Sequence, residues 1–215
     1  GAQDFDVALR LLPNLHNVVH IPKPLYHWRA WSGSTALTID AKPWAQQSTA
    51  RAQQEYLNRT FATNADDGGT ATPSKVPGLN EVHPRISAAH FVSVIIPTIG
   101  TANAAATGRF VEDAVSSLRE METKVQLEII VVTTGEIAPV PGADKQVVYQ
   151  TESFNFSEAI NTGRAAATGD YVFLLNDDTT ANETDPITRL LELGQIAGVG
   201  ITGCKLSYPD GRLQH

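Results

Sequence analysis

The chain lacks the features that staple secreted proteins or anchor proteins in membranes. Its single cysteine, Cys204, allows no internal disulfide, which fits a reducing compartment. No apolar run approaches the roughly 20 residues that a membrane-spanning helix needs, and no signal peptide is visible. We therefore expect a cytoplasmic location, with the inner face of the membrane as the alternative. No histidine or acid stands beside Cys204, so a buried thiol that packs as a small hydrophobe is expected.

Charged residues are also sparse, and their balance is acidic. They make up 18% of the 215 residues, and the formal net charge is -7 at pH 7. Such a chain has no broad positive field, which argues against nucleic-acid binding. A nucleotide ligand is still compatible with this charge, because one metal ion can neutralise a diphosphate locally. The hydrophobic fraction of 42% is large enough for a sizeable core.

From about residue 90 onwards, apolar runs alternate with segments of helical periodicity. Strands are predicted at 91–97, 127–132, 146–150 and 171–175, and helices at 110–121, 155–168 and 186–197. Strands that alternate with helices predict an α/β fold with a parallel sheet and right-handed connections.

The region before residue 90 has a different character. Phe5, Leu9 and Leu12 share one face of a short predicted helix, a strand-like run follows at 18–21, and a longer helix is predicted at 43–61. Residues 62–89 begin with a stretch rich in Gly, Pro, Thr and Asp and are predicted to be a linker. A small α+β segment and a linker are therefore expected before the parallel sheet.

Residues 155–179 give the strongest indication of function. They predict an amphipathic helix, a break at Gly169, a buried strand, and then Asp177 and Asp178 at its carboxyl end. Ligands of open α/β sheets bind at that end of the strands. Adjacent carboxylates suit a divalent metal that also binds substrate phosphates. The alternative is that the same residues only form a turn and cap the next helix.

Several of these motifs, in this order, resemble a family-2 glycosyltransferase of the Rossmann-like GT-A fold, close to bacterial O-antigen and rhamnosyl transferases. The residues that carry the resemblance are SVIIPT at 93–98, EIIVV at 128–132, NFSEAINTGRAAATGD at 155–170, YVFLLNDDT at 171–179 and CKLSYPDGRLQH at 204–215. The resemblance implies that 90–215 is the donor-binding N-terminal half of a transferase domain.

The start of the chain resembles the opposite end of the same family. Gln3-Asp4-Phe5-Asp6 is similar to the acceptor-side helix, and Tyr26-His27-Trp28-Arg29 with Gly33-Ser34-Thr35 is similar to the closing segment. Residues 1–61 are therefore expected to be the C-terminal part of a first transferase domain. Alternatively, they complete the 90–215 half within the same chain, or between two chains of a domain-swapped homo-oligomer.

The resemblance also implies roles for individual residues. Asp178 would be the main ligand of Mg2+ or Mn2+, with Asp177 as a second ligand on the nucleotide side, and Asp4 would be the general base. The further contacts to a UDP- or dTDP-sugar would come from Pro97, Thr98, Glu136, Asn155, Asn161 and Arg164. Two of these roles have alternatives: Asp4 could instead complement a helix dipole, and Arg164 could be a solvated helix residue.

The implied activity is metal-assisted transfer of a sugar, with inversion, to a saccharide or glycolipid acceptor. The alternative is an inactive nucleotide-binding or scaffold module derived from such an enzyme. Two other α/β classes are disfavoured. A phosphoacceptor receiver domain should carry acidic residues after its first strand, and a dinucleotide-binding domain should carry G-x-G-x-x-G there, whereas this chain has IIPTIG.

Overall fold

The computed structural model describes residues 2–27, 43–64, 67–86, 90–149, 153–181 and 185–214. The chain divides into two compact units, Gly1–Ile86 and Ser87–His215. Most of the predicted closing segment, from Trp28 to Thr35, lies outside the described residues.

The first unit is a small α+β structure. Its elements are α1 (Gln3–Leu11), a 3-10 turn (Leu12–Asn14), α2 (Pro43–Phe61), β1 (Gly69–Pro73) and β2 (Asn80–Pro84). The two strands are antiparallel, and both the strands and α1 pack against α2. The strand-like run at 18–21 is not a strand, and Val18 and Val19 are exposed.

Part of the segment predicted to be a linker is a hairpin that α2 holds in place. The amide nitrogen of Gln54 donates to the Gly69 carbonyl at 2.9 Å, and its amide oxygen accepts from Ala71 N at 2.9 Å. Asn58 accepts from Gly68 N at 3.2 Å. Side chains of α2 thus form hydrogen bonds with backbone groups in and next to β1. The local composition of the segment could not indicate these bonds. Whether the two units derive from two transferase domains stays a prediction.

The second unit confirms the predicted α/β fold. Its elements are β3 (Phe91–Thr98), α3 (Phe110–Glu120), β4 (Gln126–Thr133), β5 (Lys145–Val148), α4 (Phe156–Ala166), β6 (Tyr171–Leu174) and α5 (Pro186–Gly194). The strands form a parallel sheet in the order β5-β4-β3-β6. β3 and β4 pair along their whole length and are almost completely buried, which accounts for their continuous apolar sequences.

Helix α4 packs on β3 and β4 through its small residues. Ala159 and Gly163 are its buried residues, and Ala159 joins a core with Ile95, Ile130 and Val132. A methyl group at Gly163 would overlap Ile95 Cγ2 and lie 2.9 Å from Val132 Cγ2. The helix therefore needs a residue without a side chain at this point of closest approach.

A buried glutamate ties the amino end of the sheet to the loop before β6. Ser93 Oγ donates to Glu128 Oε2 at 2.6 Å, and Thr168 donates its backbone N–H to Oε2 and its hydroxyl to Oε1, both at 3.0 Å. Lys145 Nζ lies 2.6 Å from Oε1. Gly169 N donates to Ser93 Oγ at 2.8 Å.

These donors decide the ionisation of Glu128. Burial alone would raise the pKa of its carboxyl group, but the hydrogen bonds from Lys145, Ser93 and Thr168 outweigh it and lower the pKa from 4.5 to about 2. The network closes the turn at Gly169, where a methyl group would lie 2.6 Å from Ser93 N.

We expect Gly163→Ala to destabilise the second unit. Alanine favours a helix by about 1 kcal/mol over glycine, whereas forcing a methyl group into a packed core costs about 1–3 kcal/mol. The control is Gly194→Ala at the end of α5, where a methyl group would meet its nearest atom at 3.6 Å. Chemical denaturation should show Gly163→Ala to be the less stable of the two, and equal stability would contradict the close packing of α4.

The low pKa of Glu128 predicts an acid-sensitive stability. A folded-state pKa of about 2 against 4.5 unfolded means that the stabilisation is complete above pH 4.5 and is lost as the pH falls towards 2. Its upper limit is about 3 kcal/mol. Denaturation curves between pH 2 and 6 should show this loss in the wild type and a weaker pH dependence in Glu128→Gln. Exposed Glu122→Gln is the control, and parallel curves for Glu128→Gln and the wild type would refute the prediction.

Candidate functional site

The candidate site lies where the parallel strands end. β3 ends at Thr98, β4 ends at Thr133, and the chain turns through Asp177 and Asp178 shortly after β6. Leu175 N still bonds to Ile95 O at 3.1 Å, and Thr179 N then closes the turn on Asn176 O at 3.2 Å. Both sequence interpretations of the acidic pair are compatible with this geometry, since it is a turn and it also lies at the ligand-binding edge.

The two aspartates have different surroundings. Asp177 is half-buried and its Oδ2 lies 2.5 Å from Thr98 Oγ1, whereas Asp178 is exposed. Among the described residues, no group of three or more histidine, cysteine or acidic side chains could hold a metal ion. Two adjacent carboxylates are a donor set of the kind that Mg2+ uses together with substrate phosphates.

The other predicted contacts on the strands are unequally accessible. Pro97 and Thr98 are buried at the end of β3, next to Val132 and Thr133 in the ladder. Glu136 is exposed beyond a turn in which Thr133 Oγ1 donates to Gly135 O at 2.6 Å. Glu136 is therefore free of the packed core and near the end of β4.

The predicted residues of α4 separate into a cap and two exposed side chains. Asn155 Oδ1 accepts from Glu158 N at 3.1 Å and caps the helix. Asn161 and Arg164 are exposed. Arg164 also lines an open, mostly apolar cavity of about 730 Å3. The same cavity is lined by Asn176 and Thr179, which flank the acidic pair.

Tyr149 is a positioning residue that the sequence patterns did not single out. Its ring is buried, its hydroxyl accepts from Asn155 N at 3.2 Å, and it donates to Asn155 O at 3.1 Å. Tyr149 N bonds to Thr133 O at 3.0 Å. The start of α4 is thereby fixed beside the end of β4. The sequence signal that could have identified this role is a tyrosine at the end of an apolar run, six residues before the N-cap residue Asn155.

Asp4 lies in the first unit, in the first turn of α1, and its side chain is exposed. Asp6 in the same turn pairs with Arg10 at 2.8 Å. Acidic residues at this position complement the helix dipole, so the alternative to a catalytic role has a physical basis here. The role of Asp4 as a base stays a prediction.

The prediction for Cys204 was wrong, because its side chain is exposed. Residues 199–206 form no helix or strand and border the open cavity beside β6. The apolar character of this stretch therefore does not bury the thiol.

Among the described residues, no helix is long and apolar enough to span a membrane.

Comparison with known families decides the relationship. Residues 93–206, more than half of the chain, match the model of glycosyl transferase family 2. The chain belongs to this family. The resemblance predicted from the strand and helix motifs is thus confirmed, and the matched range contains every predicted site residue except Asp4.

Two curated relatives align with the whole chain. An uncharacterized protein, y4gI of Sinorhizobium fredii, is 33% identical over 230 residues, and the match covers 100% of this chain and 24% of that protein. The O-antigen biosynthesis protein RfbC of Myxococcus xanthus is 26% identical over 223 residues, with 100% and 16% covered. The chain therefore spans a quarter or less of these relatives.

A solved mannosyltransferase from Pyrobaculum calidifontis, in complex with GDP-Man and Mn2+, is a distant structural neighbour. Its TM-score is 0.45 at 18% identity, with 80% of this chain and 48% of the other covered. At this distance no residue role transfers from one protein to the other.

Proposed function

We propose that the protein containing this chain transfers a sugar from a nucleotide-diphosphate sugar to a saccharide or glycolipid acceptor, with inversion at the anomeric carbon. The observation that carries the proposal is the pair Asp177 and Asp178 at the carboxyl edge of a family 2 sheet. The relative that acts in O-antigen biosynthesis supports a surface polysaccharide as the product.

In this proposal the second unit holds the donor. Asp178 and one oxygen of Asp177 would hold Mg2+ or Mn2+, which when bound neutralises the charge developing on the departing diphosphate. Arg164 is exposed and shares a cavity with residues next to the acidic pair. Its guanidinium can donate charge-assisted hydrogen bonds to a phosphate. Glu136, near the end of β4, is the candidate contact to the nucleoside.

The transfer itself needs a base and an open face of the sugar. The acceptor hydroxyl attacks the anomeric carbon from the side opposite the diphosphate. Its new bond to carbon forms as the bond to the phosphate oxygen breaks, and the diphosphate leaves with the electron pair. A positioned carboxylate takes the hydroxyl proton as the general base. Asp4 is the candidate for this role in the transferase domain to which residues 1–61 belong. In the protein that contains this chain, Asp4→Asn should then abolish transfer by that domain and leave nucleotide binding by the second unit unchanged.

The second candidate is a nucleotide-binding or scaffold module without catalysis. The observation that favours it is that Asp177 and Asp178 also lie in an ordinary turn, which Thr179 N closes on Asn176 O at 3.2 Å. The two candidates share the donor site and differ in turnover. Once binding is established, an assay for nucleoside diphosphate released from the donor in the presence of an acceptor separates them. The transferase should release it, and the binding module should not.

We expect the chain to bind nucleoside diphosphates in a metal-dependent way. Calorimetric titration with UDP, dTDP and GDP in Mn2+ and in EDTA measures both the base preference and the metal requirement. Asp178→Ala should weaken binding in Mn2+ by at least about tenfold, since even groups that only support metal ligands contribute that much.

The matched control is Asp210→Ala, which removes an exposed carboxylate that pairs with Arg212 at 2.7 Å in another turn. It should bind like the wild type. Absence of binding to all three nucleotides would sink the donor site. Equal binding by Asp178→Ala and the wild type would remove the metal role of Asp178.

A further inference from the structure

The geometry points to Thr98 as a positioning residue that acts through Asp177 rather than on the donor itself. Its hydroxyl fixes one carboxylate oxygen of Asp177 and leaves the other for the ligand. This inference rests on the proposed function, because it assigns the two adjacent aspartates different tasks in the same donor site. Asp177 is oriented in advance, whereas Asp178 adjusts to what binds.

The direction of the hydrogen bonds follows from the donors available. Thr98 Oγ1 lies 3.0 Å from Gly100 N and 2.5 Å from Asp177 Oδ2. A backbone N–H can only donate, so the hydroxyl oxygen accepts from Gly100. The hydroxyl hydrogen is then directed to the carboxylate of Asp177, and a donor bond to a charged acceptor is among the stronger hydrogen bonds.

Burial separates Thr98 from the donor. Thr98 is 2% exposed, so its hydroxyl is enclosed by protein, whereas Asp177 is half-buried and Asp178 is exposed. A ligand at the edge of the sheet meets the aspartates first. Thr98 can therefore influence binding chiefly by setting the orientation of Asp177.

The same contact continues the register of the sheet past its last pair. Ile95 of β3 is paired with Leu174 of β6, where the ladder ends. Thr98 and Asp177 each lie three residues further along their segments, and their side chains meet there. The turn that carries Asp177 is thus tied to a buried strand of the sheet in addition to its own backbone bond from Thr179 N to Asn176 O.

Gly100 makes this arrangement possible. Its φ of +79° lies in the left-handed region that glycine adopts without strain, and its N–H points back to Thr98. A methyl group at Gly100 would lie 3.0 Å from Ile137 Cγ2. The residue that orients the Thr98 hydroxyl is therefore itself restricted by conformation and by space.

Orientation in advance has a consequence for affinity. A carboxylate that is already held loses less conformational freedom when it binds a ligand, so more of its interaction energy appears as affinity. The Thr98 hydroxyl is a hydrogen-bond partner of the Asp177 carboxylate, whereas Asp178 is exposed. Removing the hydroxyl should therefore release Asp177 without disturbing Asp178.

The test compares Thr98→Val with Thr98→Ser in nucleotide titrations in Mn2+ and in EDTA. Valine keeps the shape and removes the hydroxyl, whereas serine keeps the hydroxyl. We expect Thr98→Val to weaken metal-dependent affinity by about 10- to 100-fold, the usual effect of losing a residue that orients a metal ligand. Thr98→Ser should remain within about threefold of the wild type, and affinity in EDTA should not change.

Thr133→Val is the matched control. Thr133 is also buried at the end of a central strand, but its hydroxyl donates to the Gly135 carbonyl instead of to a carboxylate. It should weaken binding less than Thr98→Val. Melting curves check that each variant folds, and Thr98→Ala replaces the valine variant if that variant does not fold.

A second comparison tests whether Thr98 acts through Asp177. In an Asp177→Asn background, adding Thr98→Val should cost little further affinity, because the group it positions has already lost its charge. If the wild type binds and Thr98→Val binds as well, the positioning role alone is overturned. A loss in Thr98→Ser equal to that in Thr98→Val overturns it too, since packing would then be the cause. A wild type that binds no nucleotide overturns the proposed function and this inference together.

Discussion

The full-length parallel pairing of β3 with β4 is the constraint on which the second unit depends. It runs from Phe91 opposite Gln126 to Thr98 opposite Thr133, with both strands covered on their two faces. Because the strands are buried, their polar backbone groups must pair with each other. The helices then have to pack close to an apolar surface, and α4 does so at Gly163 without a side chain.

The two ends of this sheet have different roles. At the amino end, Glu128 is buried, ionised and surrounded by donors, and it ties β3, β4 and the loop before β6 together. At the carboxyl end, Asp177 is held by one hydroxyl and Asp178 is exposed. A carboxylate whose oxygens are all engaged stabilises the fold, whereas one with a free oxygen can bind a ligand. The chain contains both arrangements, one on Ser93 near the start of β3 and one on Thr98 at its end.

Both ends of the sheet lie within the range that matches the family. The match to glycosyl transferase family 2 covers 93–206. This range contains almost the whole parallel sheet, the acidic turn after β6 and helix α5. The proposed donor side is therefore contained in a single unit. The proposed base, Asp4, is in the other unit, in the first turn of α1. Acidic residues in that turn also complement the helix dipole, which requires no catalytic role.

The sequence alone determined the α/β class, the strands and helices of the second unit to within a few residues, and the position of the acidic pair. Continuous apolar runs, helical periodicity and a charged turn are local features, so local patterns reveal them. Only the tertiary structure decided that Thr98 meets Asp177, that Tyr149 holds the start of α4, that Glu128 is ionised in the interior, and that Cys204 is exposed. Each of these depends on which parts of the chain pack against one another. Burial and hydrogen-bond pairing are set by that packing and not by the local sequence, which is why local patterns could not predict them.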